Sequence, residues 1–263
     1  MKAIILAAGR GERLKEITNC IPKPMIEFRG KPVLQYNIEL CKRYGIREIY
    51  INLHHLPSKI TDYFGEGEKF GVKIKYSHEK KLLGTAGAVG KFGRELWDIS
   101  DVKTIRASEL SNSNKATKQK DLFYVIYGDQ ISNFNLDLLK EKFQKHYTSD
   151  KKTVGVIAFH YREDVIHSGV AEFNDAKKII RFIEKPKSYE TDSHWVNAGV
   201  YCFHQDIFDF IPDKISDFGR DIFPHILKKN FSLYGVCEHK DVNVFDTPEM
   251  YKKSFDLSGE IYE

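Results

Sequence analysis

The chain contains 263 residues, of which 41% are hydrophobic and 30% are charged, and its formal net charge is +4. This length and apolar content are typical of one large α/β domain with its own core. The charge is mild and the lysines are interleaved with acids, so the sequence lacks the basic face that nucleic-acid binding requires. No apolar stretch approaches the roughly 20 residues that span a bilayer, and the first residues read as a strand instead of a signal peptide, so we expect a cytoplasmic protein.

The chain opens with a short apolar strand and a glycine-rich loop. Residues 1–7 read as a buried strand, and Gly9 and Gly11 lie in the turn that follows it. Such a turn at the carboxyl end of a strand offers backbone N–H groups to a polyphosphate, and Arg13 and Lys23 would add countercharge. The turn is equally well explained as a tight connection into a helix. Its spacing excludes the full P-loop and the dinucleotide fingerprint.

Lys23 stands between two prolines, Pro22 and Pro24. Proline fixes its own φ and restricts the residue before it. We therefore predict that Lys23 is held in an extended, pre-organised conformation, which an ordinary surface lysine does not need.

The segments that follow alternate between the two regular structures. Apolar spacing predicts helices over 31–44, 58–64 and 85–97, the last capped by Thr85, and strands over 46–52, 72–76 and 122–127. This alternation predicts an α/β fold with a mostly parallel sheet covered by helices on both faces. The strand at 122–127 delivers Gly128 and Asp129 at its carboxyl end, where open α/β sheets bind their ligands.

The second half contains shorter strands separated by polar turns. We predict strands over 152–159, 170–173, 179–183 and 196–203, and helices over 206–210 and 220–229. No Gly/Ser-rich or Pro-rich linker separates the two halves, so one domain over residues 1–263 is expected. No internal repeat is present and, in particular, no hexapeptide β-helix at the C-terminus, and we expect a protein with a single function.

Two features of the composition are interpreted as structural. Residues 98–121 form a polar insertion that cannot bury much apolar area, and they read as a mobile surface loop or, alternatively, as a lid or oligomer contact. The four cysteines are widely scattered and the ten histidines, His54 and His55 included, lack metal-ligand spacing. Reduced structural thiols are therefore expected, and a structural or surface role is expected for the histidines.

Several motifs occur together in one order along nearly the whole chain. They are LAAGRGERL at 6–14, IPKPMIEFRGKPVLQY at 21–36, LGTAG at 83–87, YGD at 127–129, IEKP at 183–186, VNAGVY at 196–201 and DTPE at 246–249. In this order they resemble the sugar-1-phosphate nucleotidyltransferases. The resemblance implies a Rossmann-like mixed sheet of the nucleotide-diphospho-sugar transferase fold. It also implies a nucleotide-binding half over 1–130 and a sugar-phosphate-binding half over 131–263.

The resemblance implies a two-substrate reaction. A sugar 1-phosphate attacks the α-phosphorus of a nucleoside triphosphate, and pyrophosphate leaves. The partners are these two small molecules, the cofactor is Mg²⁺, and a homo-oligomer is compatible with the family. Both reactants are anions, so the enzyme must neutralise and align them, and no protein nucleophile is required.

The resemblance also implies roles for individual residues. Arg13 would stabilise the triphosphate and the departing pyrophosphate, Lys23 would contact phosphate at the reacting centre, and Lys185 would hold the sugar phosphate. The residues implied in nucleotide binding are Leu6, Ala7, Ala8, Gly9, Gly11, Arg13, Glu79, Gly84, Thr85 and Gly128. Those implied in sugar-phosphate binding are Glu184, Lys185, Asn197 and Gly199.

The metal ligands implied by the resemblance are Asp129 and Asp246. In the family pattern Asp-x-Gly-Thr-Pro two residues separate the aspartate from the threonine, and this chain lacks them between Asp246 and Thr247. Asp241 therefore stays an alternative to Asp246. Asp246 is also explained as a cap of the helix that follows it.

The choice of substrate is left open by the residues. The combination of Ser77, Glu79 and LGTAGA resembles enzymes that use GTP with mannose 1-phosphate or heptose 1-phosphate more than the thymidylyl branch. The alternatives are a cytidylyl-, uridylyl- or thymidylyltransferase acting on another sugar phosphate or a phosphorylated alcohol, and a non-catalytic regulatory paralogue that binds sugar nucleotide.

Overall fold

The structure is a computed structural model that describes residues 1–11, 14, 18–96, 122–239 and 242–245. Contacts divide these residues into two compact units. The first contains the described residues of 1–82, 125–134 and 242–245, and the second contains those of 83–124 and 135–239. The halves predicted from the resemblance stay a prediction, and the insertion 98–121 lies outside the described residues.

Thirteen strands and five α-helices are present in the described part of the chain. The strands are β1 (Lys2–Leu6), β2 (Glu27–Phe28), β3 (Lys31–Pro32), β4 (Glu48–Leu53), β5 (Lys73–His78), β6 (Leu122–Tyr127), β7 (Gln130–Ile131), β8 (Thr153–Tyr161), β9 (Gly169–Phe173), β10 (Ile179–Glu184), β11 (Trp195–His204), β12 (Ser232–Glu238) and β13 (Asn243–Val244). The helices are α1 (Val33–Arg43), α2 (Pro57–Phe64), α3 (Gly84–Leu96), α4 (Leu136–Ser149) and α5 (Phe223–Lys228). The predicted mixed sheet with helices is confirmed.

The first unit contains a parallel arrangement of strands. Their order is β6, β1, β4 and β5, with β1 pairing β4 and β4 pairing β5 in parallel. Ile4, Ile5 and Ile51 are completely buried, as expected for a parallel sheet covered on its faces. This sheet brings the carboxyl ends of its strands to one edge, where Ala7, Glu79 and Gly128 of the predicted nucleotide site lie.

The second unit contains a mixed sheet. Strands β10, β9 and β11 are antiparallel neighbours, and β8 pairs β11 antiparallel and β12 in parallel. Strand β6 contributes its residues 122–124 to this unit and 125–127 to the first.

An aromatic cluster forms the core of the second unit next to α5. Tyr201, Phe203, Phe218 and Phe223 are fully buried, and the Phe218 ring centroid lies 5.2 Å from that of Phe203 and 5.5 Å from that of Phe223. Phe218 begins a π-helical turn, Phe218–Ile222, that leads directly into α5. The cluster therefore fixes this turn against β11.

Several elements differ from the sequence prediction. The helix expected at 31–44 begins only at Val33, because Lys31 and Pro32 pair with β2. The helices expected at 206–210 and 220–229 are a 3₁₀ turn, Gln205–Phe210, and the π-helical turn followed by α5.

Helix α4 and strand β12 were not predicted, and neither were the two-residue strands β2, β3, β7 and β13. Helix α4 has a clear signal, since Asn135 caps it by accepting from Leu138 N–H at 3.1 Å, and Leu136, Leu139 and Phe143 form its buried stripe. None of the helices that the structure describes has both the length and the apolar character needed to span a bilayer.

The buried imidazole of His160 makes stability depend on pH. His160 lies in β8 with 5% of its surface exposed, and burial, reinforced by Arg162, lowers its pKa from 6.5 to about 4. The folded state therefore prefers the neutral ring, and the stability from this group is present above pH 6.5 and is lost as the pH falls towards 4. Between pH 6.5 and 5 we expect a loss on the order of 2 kcal/mol in the free energy of unfolding.

Urea denaturation at both pH values checks this expectation in wild type and in His160→Gln. The variant should lose less stability than wild type over this interval. The exposed His167 supplies the matched control, because His167→Gln makes the same substitution at a side chain that is not buried. An equal loss in the free energy of unfolding between pH 6.5 and 5 in His160→Gln and in wild type would contradict the role given to His160.

Candidate functional site

A buried polar chain links the ends of β1, β4 and β5. The Ala7 N–H donates to Asn52 Oδ1 at 2.8 Å, and Asn52 Nδ2 donates to Glu79 Oε1 at 2.8 Å. Asn52 and Glu79 are 4% and 6% exposed. The structure thus brings the predicted Ala7 and Glu79 together through Asn52, which the sequence analysis missed. Its signal is an amide side chain that directly follows the apolar run Ile49–Ile51 of β4.

The glycine-rich loop has one position that requires glycine. Gly11 has φ +65°, and a Cβ there would lie 2.8 Å from Thr18 Cγ2 and 3.1 Å from Lys23 Cβ. The Gly11 carbonyl accepts from Thr18 Oγ1 at 3.0 Å and from Leu14 N–H at 2.9 Å. At Gly9 a Cβ would meet no described atom within 4 Å. Arg13 lies outside the described residues.

Lys23 and Asp129 form a partly buried ion pair. Lys23 Nζ donates to Asp129 Oδ2 at 2.6 Å, and the two side chains are 6% and 31% exposed. The residues are 106 positions apart in the sequence. The two residues expected to contact phosphate and metal are therefore neighbours in the first unit.

The predicted extended conformation of Lys23 is wrong. Lys23 begins a 3₁₀ turn, Lys23–Met25, in which Met25 N–H donates to Pro22 O at 2.7 Å and Ile26 N–H donates to Lys23 O at 3.1 Å. The φ of proline suits the first positions of a helical turn, so Pro24 favours this turn as well as an extended chain. The prolines still restrict the backbone that carries the lysine.

Gly128 sets the approach of β6 to β1. Its N–H donates to Leu6 O at 2.8 Å, and a Cβ at this position would lie 2.9 Å from both Leu6 O and Ile5 Cγ2. Only glycine allows this approach without displacing the strand. Gly128 thereby places Asp129 beside the end of β1.

Asp129 has the chemistry of a magnesium ligand. Its carboxylate is partly exposed at the end of a buried strand, and Mg²⁺ prefers hard oxygen donors from one or two carboxylates together with phosphate oxygens. Asp246 and its alternative Asp241 lie outside the described residues.

Helix α3 is capped by a distant segment and not by Thr85. Asp217 Oδ1 accepts from Thr85 N–H at 3.1 Å and from Thr85 Oγ1 at 3.3 Å. The Ser216 carbonyl accepts from Ala86 N–H at 2.9 Å and Gly87 N–H at 3.1 Å. The predicted cap is therefore wrong, because Thr85 lies in the first turn of the helix and its amide is already bound. The sequence gives no local signal for Asp217.

Glu184 and Lys185 occupy unfavourable environments at the end of β10. Burial raises the pKa of Glu184 and the Asp217 charge adds to this rise, whereas Lys185 and Arg220 oppose it. Lys185 has φ +54°, a left-handed conformation that is rare for a side chain of this size, and its N–H donates to Ser168 O at 3.0 Å. Strain and desolvation of this kind concentrate at functional sites.

Asn197 and Gly199 form one irregular element in β11. Asn197 Oδ1 accepts from Gly199 N–H at 3.0 Å, and Asn197 Nδ2 donates to Tyr201 Oη at 2.8 Å. The pairing of β11 with β8 shifts register between Asn197 and Tyr201. Bulges of this type redirect side chains and are frequent beside active sites.

The predicted site residues fall into both units. The first contains Leu6, Ala7, Ala8, Gly9, Gly11, Lys23, Glu79, Gly128 and Asp129, and the second contains Gly84, Thr85, Glu184, Lys185, Asn197 and Gly199. Sequence reasoning did not identify Asn52, Asp217 or Arg220.

Two solved structures share the fold. A Bacillus anthracis protein assigned as a glucose-1-phosphate thymidylyltransferase, in complex with a sucrose, matches 100% of this chain and 97% of its own with a TM-score of 0.77 at 24% identity. HddC from Yersinia pseudotuberculosis, complexed with GMP-PN, matches 97% of this chain and 98% of its own with a TM-score of 0.69, also at 24% identity. These likenesses show the nucleotide-diphospho-sugar transferase fold.

Curated relatives differ in the nucleotide named. A UTP–glucose-1-phosphate uridylyltransferase from Synechocystis is 33% identical over 96% of this chain and 62% of its own length. The catalytic subunit beta of mannose-1-phosphate guanylyltransferase from Dictyostelium discoideum is 32% identical over 85% of this chain and 55% of its own. The chain thus spans roughly three-fifths of the length of these relatives. The family model described as Nucleotidyl transferase matches residues 2–242, so the chain belongs to the nucleotidyl transferase family.

Proposed function

We propose that the protein transfers a nucleoside monophosphate from a nucleoside triphosphate to a sugar 1-phosphate. A phosphate oxygen of the sugar phosphate forms a bond to the α-phosphorus, the bond from that phosphorus to the bridging oxygen breaks, and pyrophosphate leaves. The observation that carries the proposal is the Lys23–Asp129 pair beside the glycine-rich loop, at the carboxyl end of β6. It joins an ammonium for phosphate oxygens and a carboxylate for a metal in one place.

The first unit is proposed to bind the triphosphate. Because Lys23 is fixed by its 3₁₀ turn and its ion pair, its ammonium is oriented before the substrate arrives. Gly9 and Gly11 leave the backbone of the loop accessible to phosphate, and Arg13 is proposed to stabilise the departing pyrophosphate. Stabilisation of charge on phosphoryl oxygens is the main task in this chemistry.

Asp129 is proposed to hold Mg²⁺, with Asp246, or alternatively Asp241, as the second carboxylate. When bound, the ion would neutralise phosphate oxygens and help to align the triphosphate. The Lys23 ammonium lies 2.6 Å from Asp129 Oδ2, so the proposed metal ligand also makes a charge-assisted hydrogen bond.

The second unit is proposed to bind the sugar phosphate and to contact the base. Lys185 would bind the sugar phosphate, Glu184 would accept from sugar hydroxyls, and Asn197 and Gly199 would face the ring. A carboxylate kept in an unfavourable, buried environment is expected when hydroxyl groups of a ligand complete its hydrogen bonds. The Gly84–Thr85 turn would contact the base by its shape and carbonyl groups, because the Thr85 amide is bound to Asp217.

The favoured substrates are GTP and a mannose- or heptose-type sugar 1-phosphate. The segment from Ser77 to Ala88 supports this preference by its resemblance. The relative from Synechocystis, at 33% identity, favours a second candidate, UTP with glucose 1-phosphate. The cytoplasm, which supplies both kinds of substrate, is the proposed compartment, and a homo-oligomer is the proposed assembly.

A substrate matrix tests the proposed reaction. Purified protein with Mg²⁺ should release pyrophosphate with one preferred pair among four nucleoside triphosphates and a set of hexose and heptose 1-phosphates, as measured by a coupled phosphate assay. Preference for UTP and glucose 1-phosphate would select the second candidate. Absence of turnover with every pair, together with binding of a sugar nucleotide, would replace the catalytic proposal with that of a regulatory binder.

Asp129→Asn tests the metal assignment. The variant should reduce kcat by about 100-fold or more, because one ligand of the ion and the charge facing Lys23 are lost together. Its Mg²⁺ requirement should rise, and this titration separates metal loss from general damage. Asp137→Asn, which removes an exposed carboxylate paired with Lys140 on α4, is the control and should show the Mg²⁺ requirement of wild type.

The second ligand is assigned by the same titration. Of Asp241→Asn and Asp246→Asn, the variant that removes a ligand should also need more Mg²⁺. Wild-type turnover and an unchanged Mg²⁺ requirement in Asp129→Asn would refute the assignment of Asp129.

Glu184→Gln tests whether this carboxylate is kept at the expense of stability. The pKa of Glu184 is raised in the folded state, which means that the charged carboxylate destabilises the fold. The contribution of Glu184 to stability is therefore present below its ordinary pKa of 4.5 and is lost as the pH rises through the folded pKa. At pH 7.5 the Tm of the neutral variant should therefore be about 2 °C higher than that of wild type. Below pH 4.5 the difference should vanish.

The same variant should bind the sugar phosphate more weakly, with a KM raised by about tenfold. Glu172→Gln is the matched control on β9, because Glu172 accepts from Thr191 Oγ1 at 2.8 Å and pairs with Arg181. It should not raise the Tm. A Glu184→Gln protein that is less stable at pH 7.5, with unaltered KM, would contradict the assigned role.

A further inference from the structure

Residues 216–222 contact two groups of predicted site residues within the second unit. On one side, Ser216 and Asp217 cap the first turn of α3, which includes Thr85. On the other side, Gly219 lies against the carboxyl of Glu184, so closely that a Cβ at Gly219 would collide with Oε2. The two contacts are made by one short stretch of chain.

The first contact is a reciprocal pair of hydrogen bonds. The Thr85 hydroxyl donates to Asp217 Oδ1 at 3.3 Å and accepts from Phe218 N–H at 2.9 Å. Asp217 Oδ1 also accepts from Thr85 N–H at 3.1 Å. We call Thr85, Asp217 and Phe218 the clasp. It fixes both the side chain and the amide of Thr85, although the partners are 132 and 133 residues away in the sequence.

The clasp continues into a rigid turn. Asp217 N–H donates to Asp221 Oδ2 at 2.7 Å, and Asp217 O accepts from Asp221 N–H at 2.9 Å and Ile222 N–H at 3.2 Å. The ring of Phe218 is completely buried among aromatic side chains. A displacement at Asp217 is therefore transmitted to Gly219 and Arg220 and is not absorbed by a loose loop. Single π-helical turns of this kind often occur at functional sites.

The second contact concerns charge as well as packing. Arg220, Lys185 and Asp217 all act on the Glu184 carboxyl. Arg220 Nη1 also lies 3.9 Å from Asp217 Oδ2. The residue that caps α3 is thus in the same charged group as the residues proposed to bind the sugar phosphate.

From these contacts we infer that Asp217 is a positioning residue that holds the turn proposed to contact the base and the residues proposed to bind the sugar phosphate in one fixed relation. The inference rests on the proposed function. Asp217 touches neither substrate in this scheme. It acts through Thr85 on one side and through the π-helical turn on the other, so its loss should weaken both substrates together.

Substitution at Asp217 gives a direct test. In Asp217→Ala the KM for the nucleoside triphosphate and the KM for the sugar 1-phosphate should both rise by about tenfold, since two donors at the start of α3 lose their acceptor. Asp217→Asn keeps an acceptor oxygen and should recover most of the affinity for both. Asp213→Ala, which removes an exposed carboxylate paired with Arg94 shortly before this segment, should leave both KM values unchanged.

Thr85→Val gives the sharper comparison. Thr85 is proposed to lie near the base only. A rise in the KM for the sugar 1-phosphate in this variant would therefore be caused by the loss of the clasp hydrogen bonds. A change confined to the triphosphate in both Thr85→Val and Asp217→Ala would overturn the inference, as would failure of Asp217→Asn to recover either KM.

Hydrogen exchange separates this inference from the proposed reaction. The amides of residues 218–222 should exchange faster in Thr85→Val, and those of residues 85–87 should exchange faster in Asp217→Ala, in the absence of any substrate. If wild type turns over no substrate pair, the proposed function fails while these exchange rates still decide whether the clasp couples the two segments. Unchanged exchange at the far segment in both variants would overturn the clasp even in an active enzyme.

Discussion

The partly buried ion pair between Lys23 and Asp129 is the interaction on which the chemistry proposed for the first unit depends. Removing an ammonium from water costs several kcal/mol unless a carboxylate compensates it, so Asp129 offsets part of the cost of burying Lys23. Their pairing joins the Pro22–Met25 segment to the end of β6 and fixes two opposite charges in one place. An anionic substrate and a cation both require such prearranged charges, and the fold provides them before either arrives.

The rest of the first unit supports this pair through the edge of its sheet. Three parallel strands end together, and their polar groups satisfy one another through Asn52, while Gly128 brings β6 against β1. In the second unit, an aromatic core fixes the turn that carries Asp217 and lies against Glu184. In both units, side chains proposed to act on substrate are held by residues that would not touch it.

Local patterns predicted much of this arrangement, and long-range contacts account for what they missed. The strand before Gly9 and the strand before Asp129 follow from runs of apolar residues, and Lys23 was identified from its neighbouring prolines. Those prolines were compatible with two backbone conformations, and the observed turn is the one not expected. Thr85 has the chemistry of a cap, but Asp217 provides the cap from a segment more than 130 residues away, a contact that no local pattern encodes.

Gly9 and Gly11, only two positions apart, illustrate two different reasons for a protein to retain glycine. At Gly11 a methyl group would collide with Thr18 and Lys23, so substitution there disturbs the folded chain itself. At Gly9 the same methyl group would meet no described atom, so a substituted protein could accumulate normally in a cell while the added volume lies where phosphate is proposed to bind. Selection would therefore act against substitutions at Gly11 through lower protein abundance, and against substitutions at Gly9 through lower catalytic activity alone.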